Sequence, residues 1–504
     1  MSTTQREVEL KFRVTGAFTL PDLAAVPGVS RVESRPTFTM RNVYYDTPDL
    51  RLFRWGITLR RREGGPDEGW HLKLPVQGKG HGVRDEVHAP LGPDVPAELT
   101  RLVTAFARTS SVAPVAALQT ERTPRLLIDA DGVALVEVVD DTVSILEGDH
   151  IAKRFREIEA EATPHPGRPL DERLLGRVGD ALLAAGAVPG TMSKAGAALG
   201  QRAAVPPDVP ELPWPSPSAP AGEVVSAYLA LHCRRLLLAD LLLRRDLPDA
   251  VHQMRVSARR LRSGLKVFEP LLQDEWARRM RAELGWMASG LGAARDTEVL
   301  RERLDAHAGE LADDEAAQAQ AVIDARLDER MLSATAEALA VVDSQRYAAL
   351  LEDLVDGVRR PPLSERAAQP AEDVLPRLVT RAFHRLERRA SGLEMQTPSP
   401  VWHEARIAAK RARYAADAVA PVLGHDMERL AERLADVTEV LGHHQDAHVA
   451  QVTLREWVPS ADPQGAFALG RLLAVEEAAE MADRVAFLDL WPSVRRAAQH
   501  ADIC

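Results

Sequence analysis

Seven prolines fall between Ala203 and Gly222: Pro206, Pro207, Pro210, Pro213, Pro215, Pro217 and Pro220. A segment that lacks an amide proton so often can run neither as a helix nor as a central strand. It reads as a semi-extended linker, 205–221, between a domain at 1–204 and another at 222–504. The pattern of the chain changes across it. Before the linker, period-two segments recur at Val8–Val14, Thr37–Asp46, Ile57–Arg62, Trp70–Leu74, Val83–His88, Leu126–Asp129, Val133–Val139 and Arg156–Ala162. Gly64-Gly65, Gly78–Gly82 and Asp131-Gly132 separate some of them, which predicts an antiparallel sheet or barrel. Helices are expected at Asp94–Arg108 and Leu170–Ala185. After the linker, Ala/Leu/Arg/Glu segments of helical period predict an all-α region.

That region is internally repeated. His252-Gln-Met-Arg255-Val-Ser-Ala-Arg259-Arg260-Leu-Arg262 is answered by His403-Glu-Ala-Arg406-Ile-Ala-Ala-Lys410-Arg411-Ala-Arg413. Each is followed by a Leu-Gly-x-x-x-Asp segment, ending at Asp296 and Asp446, 44 and 43 residues after the histidine. A second proline-rich break, Arg359–Pro376, divides two halves at about 222–358 and 376–504, as a duplicated bundle would require.

The charges narrow the function. Residues 1–204 hold 26 basic and 27 acidic side chains, and the remainder 37 and 47, for a total of −11. Such a chain has no bulk attraction for nucleic acid or anionic lipid, so any polyanion site must be a local concentration of cations. No apolar run approaches the roughly 20 residues that span a bilayer. With only Cys233 and Cys504 and no apolar leader, the expectation is a cytoplasmic, reduced protein.

Alternation places Glu7, Glu9 and Lys11 on one face of a strand. Arg60 and Arg62 share a face of another strand, as do Arg84 and Glu86, and Glu157, Glu159 and Glu161. Charges of both signs lining one interior are costly unless they pair or bind ligands. A polyphosphate carried with a divalent cation satisfies both sets, since arginine and lysine match phosphate oxygens and carboxylates hold Mg2+ or Mn2+.

On these residues the first 200 positions resemble the CYTH domains of the triphosphate tunnel metalloenzymes. The resemblance rests on Glu7-x-Glu9-x-Lys11, Arg41-Asn-Val-Tyr-Tyr-Asp46, Leu59-Arg60-Arg61-Arg62-Glu63 and Leu72-Lys73. It continues through Arg84-Asp-Glu86, Arg122, Glu137-Val-Val-Asp-Asp141, Glu157-Ile-Glu159 and Ser193-Lys194, with Pro124 and the additional Glu161 as departures. It implies an α+β eight-stranded antiparallel tunnel with flanking helices, which hydrolyses or cyclises triphosphate compounds with Mg2+ or Mn2+. Lys11, Arg41, Arg60, Arg62, Lys73, Arg84, Arg122 and Lys194 would then bind triphosphate. Glu7, Glu9, Glu86, Asp141, Glu157 and Glu159 would hold metal, and Glu7, Glu9 and Lys11 would carry catalysis.

In the helical half, His252, Arg255, Arg259, Arg262 and Lys266 fall within roughly 80° of one helix circumference. His403, Arg406, Lys410 and Arg413 repeat the spacing, and no acidic residue lies between Val251 and Phe268. Stacked like charges repel, so two such stripes need a compensating anion. This half resembles CHAD, the conserved histidine α-helical domain, which implies two pseudo-symmetric four-helix bundles that bind inorganic polyphosphate. The implied surface comprises both stripes with Arg260 and Arg411, and Lys410 and Gln445 stand where the first copy has Arg259 and Arg295. His252 and His403 would add charge below about pH 6.5. His444 and His448 are one turn apart, a chelating spacing that the first copy lacks, and read as surface or hydrogen-bonded histidines.

The leading expectation is an inorganic triphosphatase joined to a polyphosphate-binding domain. The alternatives are a thiamine triphosphatase, a class IV-type adenylate cyclase, or a non-catalytic scaffold on polyphosphate granules. Inorganic triphosphate and polyphosphate are the expected partners, with no specific nucleic acid and no membrane; homo-oligomerisation is left open.

Overall fold

The computed structural model describes residues 3–76, 83–165 and 168–503. The expected Gly78–Gly82 turn lies outside the described residues. The chain forms two compact units, Met1–Asp208 and Val209–Cys504.

Among the described residues, the first unit has ten strands: β1 (Thr3–Val14), β2 (Arg31–Ser34), β3 (Phe38–Asp46), β4 (Thr58–Glu63), β5 (Gly69–Pro75), β6 (Val83–Ala89), β7 (Ala113–Ile128), β8 (Ala134–Glu147), β9 (His150–Ala162) and β10 (Val188–Pro189). The antiparallel order is β1-β6-β5-β4-β3-β7-β8-β9, and β9 pairs back with β1, closing an eight-stranded barrel. The short β2 and β10 flank it on β7 and β1. Closure removes every free edge among the eight.

Among the described residues, five α-helices accompany the barrel: α1 (Arg51–Arg54), α2 (Ala97–Leu102), α3 (Thr104–Ala107), α4 (Glu172–Ala184) and α5 (Lys194–Leu199). The period-two alternation decides what each wall faces. On β9, Ile158 and Ala160 point outward into a core with Phe12, Val136 and Val138, covered by Leu174, Leu175, Val178 and Leu182 of α4. The intervening Glu157, Glu159 and Glu161 therefore point inward. At one end the inward residues turn apolar. Tyr44, Leu118, Val143 and Ile145 pack with Ala195 of α5, which places Lys194 beside the barrel interior.

Residues 205–219 hold no regular secondary structure, as the prolines require, yet Asp208 is buried. Trp55 Nε1 donates to its Oδ1 at 2.8 Å, and Arg108 pairs with Oδ2. Asp208→Ala removes the carboxylate paired with a buried guanidinium and is expected to cost about 3–5 kcal/mol. Urea unfolding followed by tryptophan fluorescence measures this, and a loss below about 1 kcal/mol would place the strap outside the fold's stability.

The second unit is helical throughout: α6 (Ala221–Arg244), α7 (Ala250–Val267), α8 (Asp274–Gly290), α9 (Gly292–Ala308), α10 (Asp313–Val342), α11 (Gln345–Arg359), α12 (Ala371–Ala390), α13 (Ser399–Leu423), α14 (His425–Trp457) and α15 (Pro463–His500). Helix α12 starts at Ala371 and carries Pro376 inside it. Ala221 and Ala371, at the starts of α6 and α12, donate to Gln369 and Ala219 carbonyls at 2.8 and 2.9 Å. The two halves also share a core: Leu300 and Leu304 of α9 and Ile323 and Leu327 of α10 pack with Leu454 of α14 and Leu469 and Leu472 of α15. On α7, Met254, Ala258, Leu261 and Leu265 are buried at helical spacing, which leaves the basic stripe on the opposite side.

Candidate functional site

Register brings most of the expected tunnel residues into one interior. Lys11 lies opposite Glu159 and Glu9 opposite Glu161 across β1–β9, and Asp141 opposite Glu157 across β8–β9. Arg122 faces Asp141, Lys73 faces Glu86, and Arg84 faces Glu7. Arg122, three residues before Arg125 and with Pro124 between, is the arginine that enters. Arg41 does not. It is exposed on the outer face of β3, opposite Glu63, because the inward positions there are Met40, Asn42 and Tyr44. Arg84 is engaged at the wall, donating to the carbonyl of Gly56, which holds a positive φ.

One side of the interior is a buried carboxylate cluster. Asp141, Glu157 and Glu159 offer oxygens that all lie within 4.8 Å of one another. Lys194 Nζ sits 2.8, 2.6 and 2.7 Å from Asp141, Glu157 and Glu159. Arg122 grips Asp141 with two donors at 2.8 and 2.7 Å and reaches Glu159 at 3.1 Å. Lys11 lies 2.9 Å from Glu9 and 3.3 Å from Glu159. Across the interior, Lys73 pairs with Glu7, and Arg60 and His71 approach Glu86 at 3.4 and 3.0 Å. Arg62 donates to Asn42 at 3.1 Å and pairs with Asp67.

Burial opposes every one of these charges, and the partners decide which survive. Burial would depress Lys194, but Asp141, Glu159 and Glu157 hold its ammonium above the usual lysine range. Lys11 and Lys73 are raised in the same way by their glutamates. Glu159 stays well below the carboxylate range, because Lys194, Lys11 and Arg122 outweigh its burial. Arg62, desolvated and beside Arg60, is lowered to about 10. Among the buried atoms with no hydrogen-bond partner are Glu7 Oε2, an acceptor, and Arg60 Nε, a donor. The oxygen-only donor set and the stranded carboxylate oxygen fit a hard divalent cation.

Glu161 belongs to this interior too. Burial, then Glu7 and Glu9, push its carboxyl up to about 8, with Lys73 offsetting part of the effect. Its folded pKa exceeds its unfolded one, so the stability it contributes is complete at acid pH and lost as pH rises through about 8. In metal-free buffer, Glu161→Gln should match the wild type near pH 5 and exceed it near pH 9 by on the order of 3 kcal/mol. Thermal melts across that range measure it; a difference independent of pH would contradict the assignment.

In the helical unit, α7 packs against α13 and brings the two stripes together. Arg259 and Arg406 are half-buried, and each has an Nε with no hydrogen-bond partner. Arg255 reaches the Ala288 carbonyl and Asp296, both at 3.3 Å, while Arg262 and Arg411 are exposed. Other members are committed elsewhere. Arg260 pairs with Asp417 and lies 4.8 Å over the Tyr414 ring, and Lys266 pairs with Glu269 at 2.6 Å. Arg413 donates to Thr438 at 2.9 Å, and His403 shares a 2.5 Å hydrogen bond with Gln445. Burial and Arg295 push the His252 imidazole down. His444 is buried, 3.3 Å from Glu480 and stacked on Trp402, and so takes no part in a surface chelate.

Sequence reasoning passed over Asn42, Asp67 and His71. The inward positions of Asn42 and His71 follow from alternation with Arg62 and Lys73 as neighbours, whereas Asp67 comes from a loop that carries no periodic signal.

Comparison with known proteins agrees with this division. The CYTH domain model matches residues 5–166, and the CHAD domain model matches residues 227–455. Two uncharacterized proteins of Mycobacterium tuberculosis, Rv2226 and MT2285, are each 35% identical over 516 residues, covering 95% of this chain and 94% of their own. Among solved structures, PptA from Streptomyces chartreusis is 29% identical over 54% of this chain and all of its own, with a TM-score of 0.47. The CHAD domain from the plant Ricinus communis is 25% identical over 55% of this chain and 95% of its own, with a TM-score of 0.45. The chain belongs to the CYTH–CHAD proteins, with a CYTH domain followed by a CHAD domain.

Proposed function

We propose that the barrel hydrolyses inorganic triphosphate with Mg2+ or Mn2+, and that the helical unit binds inorganic polyphosphate. The observation that carries the first part is that the unpartnered buried atoms include Glu7 Oε2 and Arg60 Nε, one suited to a cation and the other to an anion. Lys11, Lys73, Lys194, Arg60, Arg62 and Arg122 would hold the phosphoryl oxygens, the three lysines kept protonated by their carboxylates. Glu7, Glu9, Glu86, Asp141, Glu157 and Glu159 are the candidate metal ligands. A bound divalent ion would neutralise developing phosphoryl charge and orient a water. The unpartnered Nε groups of Arg259 and Arg406 support the second part, since an unmade buried donor is costly until an anion accepts from it.

Phosphate release from inorganic triphosphate, ATP, thiamine triphosphate and long-chain polyphosphate tests the substrate. Inorganic triphosphate should show the highest kcat/KM, by at least about tenfold over ATP. Formation of cyclic AMP would establish the cyclase instead, and preference for thiamine triphosphate would establish that phosphatase.

A further inference from the structure

We propose that polyphosphate binding on the α7–α13 surface is coupled to protonation of Lys410, so that the surface holds the polyanion at neutral pH and releases it as the medium becomes alkaline. The inference rests on the polyphosphate reading above.

Lys410 occupies the place in the second stripe that Arg259 occupies in the first. It is half-buried and, among the described residues, makes neither an ion pair nor a hydrogen bond. The charged groups acting on it come from three helices: Arg406 on its own α13, Arg259 and Arg255 on α7, and Asp446 on α14. Three are cations. The one carboxylate, Asp446, is shared with Arg406, Arg303 and His443.

An arginine in this position stays charged regardless, because its guanidinium does not titrate in proteins. A lysine can yield, and this one does. Burial, then Arg406 and Arg259, lower its amine to about 7, with Asp446 opposing. A polyphosphate lying along the stripes reverses the local field, and the ammonium form becomes the favoured one. Binding above neutral pH must then take up a proton at Nζ, and affinity falls by up to about tenfold per pH unit. An ordinary histidine is mostly neutral and an ordinary arginine charged between pH 7 and 9, so on this surface the amine is the main titrating group, and Lys410→Arg separates it from groups elsewhere such as Glu161.

Titration calorimetry of the full chain with long-chain polyphosphate, at fixed ionic strength from pH 7 to 9, provides the test. Wild-type affinity should fall about 50-fold across that range. At pH 8, buffers of different ionisation enthalpy should report about 0.9 proton taken up per binding event. Lys410→Arg should remove both the slope and the proton uptake while keeping tight binding. Lys410→Met should bind more weakly at pH 7 and be flat as well, with circular dichroism confirming helicity. Equal slopes in wild type and Lys410→Arg would overturn the coupling while leaving the binding site intact. Absence of polyphosphate binding at every pH would overturn the underlying reading, and this inference with it.

Discussion

Glu159→Gln is expected to lower kcat for inorganic triphosphate by roughly 10³-fold, on the order of 4 kcal/mol of transition-state stabilisation. Glu159 touches more of the interior than any other carboxylate: Lys11 at 3.3 Å, Lys194 at 2.7 Å and Arg122 at 3.1 Å, besides its place in the carboxylate cluster. Glutamine keeps the size and hydrogen-bonding capacity but removes the charge that a metal needs. The fold should survive, because the three cations keep Glu9, Asp141 and Glu157 as partners. Steady-state kinetics at saturating metal, with a thermal melt of the same preparation, separates lost chemistry from lost structure. Wild-type turnover in a folded Glu159→Gln chain would remove this glutamate from the metal site.

The second large effect concerns the basic stripes. The combined change Arg255→Ala/Arg259→Ala/Arg406→Ala should weaken polyphosphate binding by about 10²–10³-fold at moderate salt. It should also flatten the dependence of log affinity on log salt by about 2, as for three lost contacts to a single-stranded polyanion. Arg260→Ala makes the contrast. That guanidinium is committed to Asp417 and the Tyr414 ring, so its loss should destabilise the α7–α13 packing more than it weakens binding. Similar affinity losses from both variants would mean that the surface acts through its general packing rather than through the cations of its stripes.

The parts of the molecule that were legible in the sequence are those where one periodicity settles orientation. Alternation placed Glu157, Glu159, Arg60 and Arg62 inside a barrel, since a neighbour such as Ile158 must face the opposite way. Prolines marked the stretch 205–219 that holds no regular secondary structure, because they remove donors, and the repeated stripe marked α7 and α13. Arg41 shows the limit: one residue's difference in phase puts a side chain on the other face, and only the pairing of Asn42 with Arg62 fixes that phase. Asp208 was hidden because its burial depends on Trp55 and Arg108, far away in the chain. Lys410 was hidden for the same reason. The sequence pointed to the histidines as the pH-sensitive groups, whereas this lysine's shift arises partly from Arg259, some 150 residues earlier.

Opposite charges inside the barrel are proposed to serve a metal-borne triphosphate. Phosphate release from inorganic triphosphate by the full chain, stripped with a chelator and then titrated with Mg2+ or Mn2+, tests it most directly. No turnover is expected in the stripped protein, and saturable turnover on adding either ion. Absence of phosphate release with both ions, in a chain that still melts cooperatively, would contradict it and leave a binding scaffold in its place.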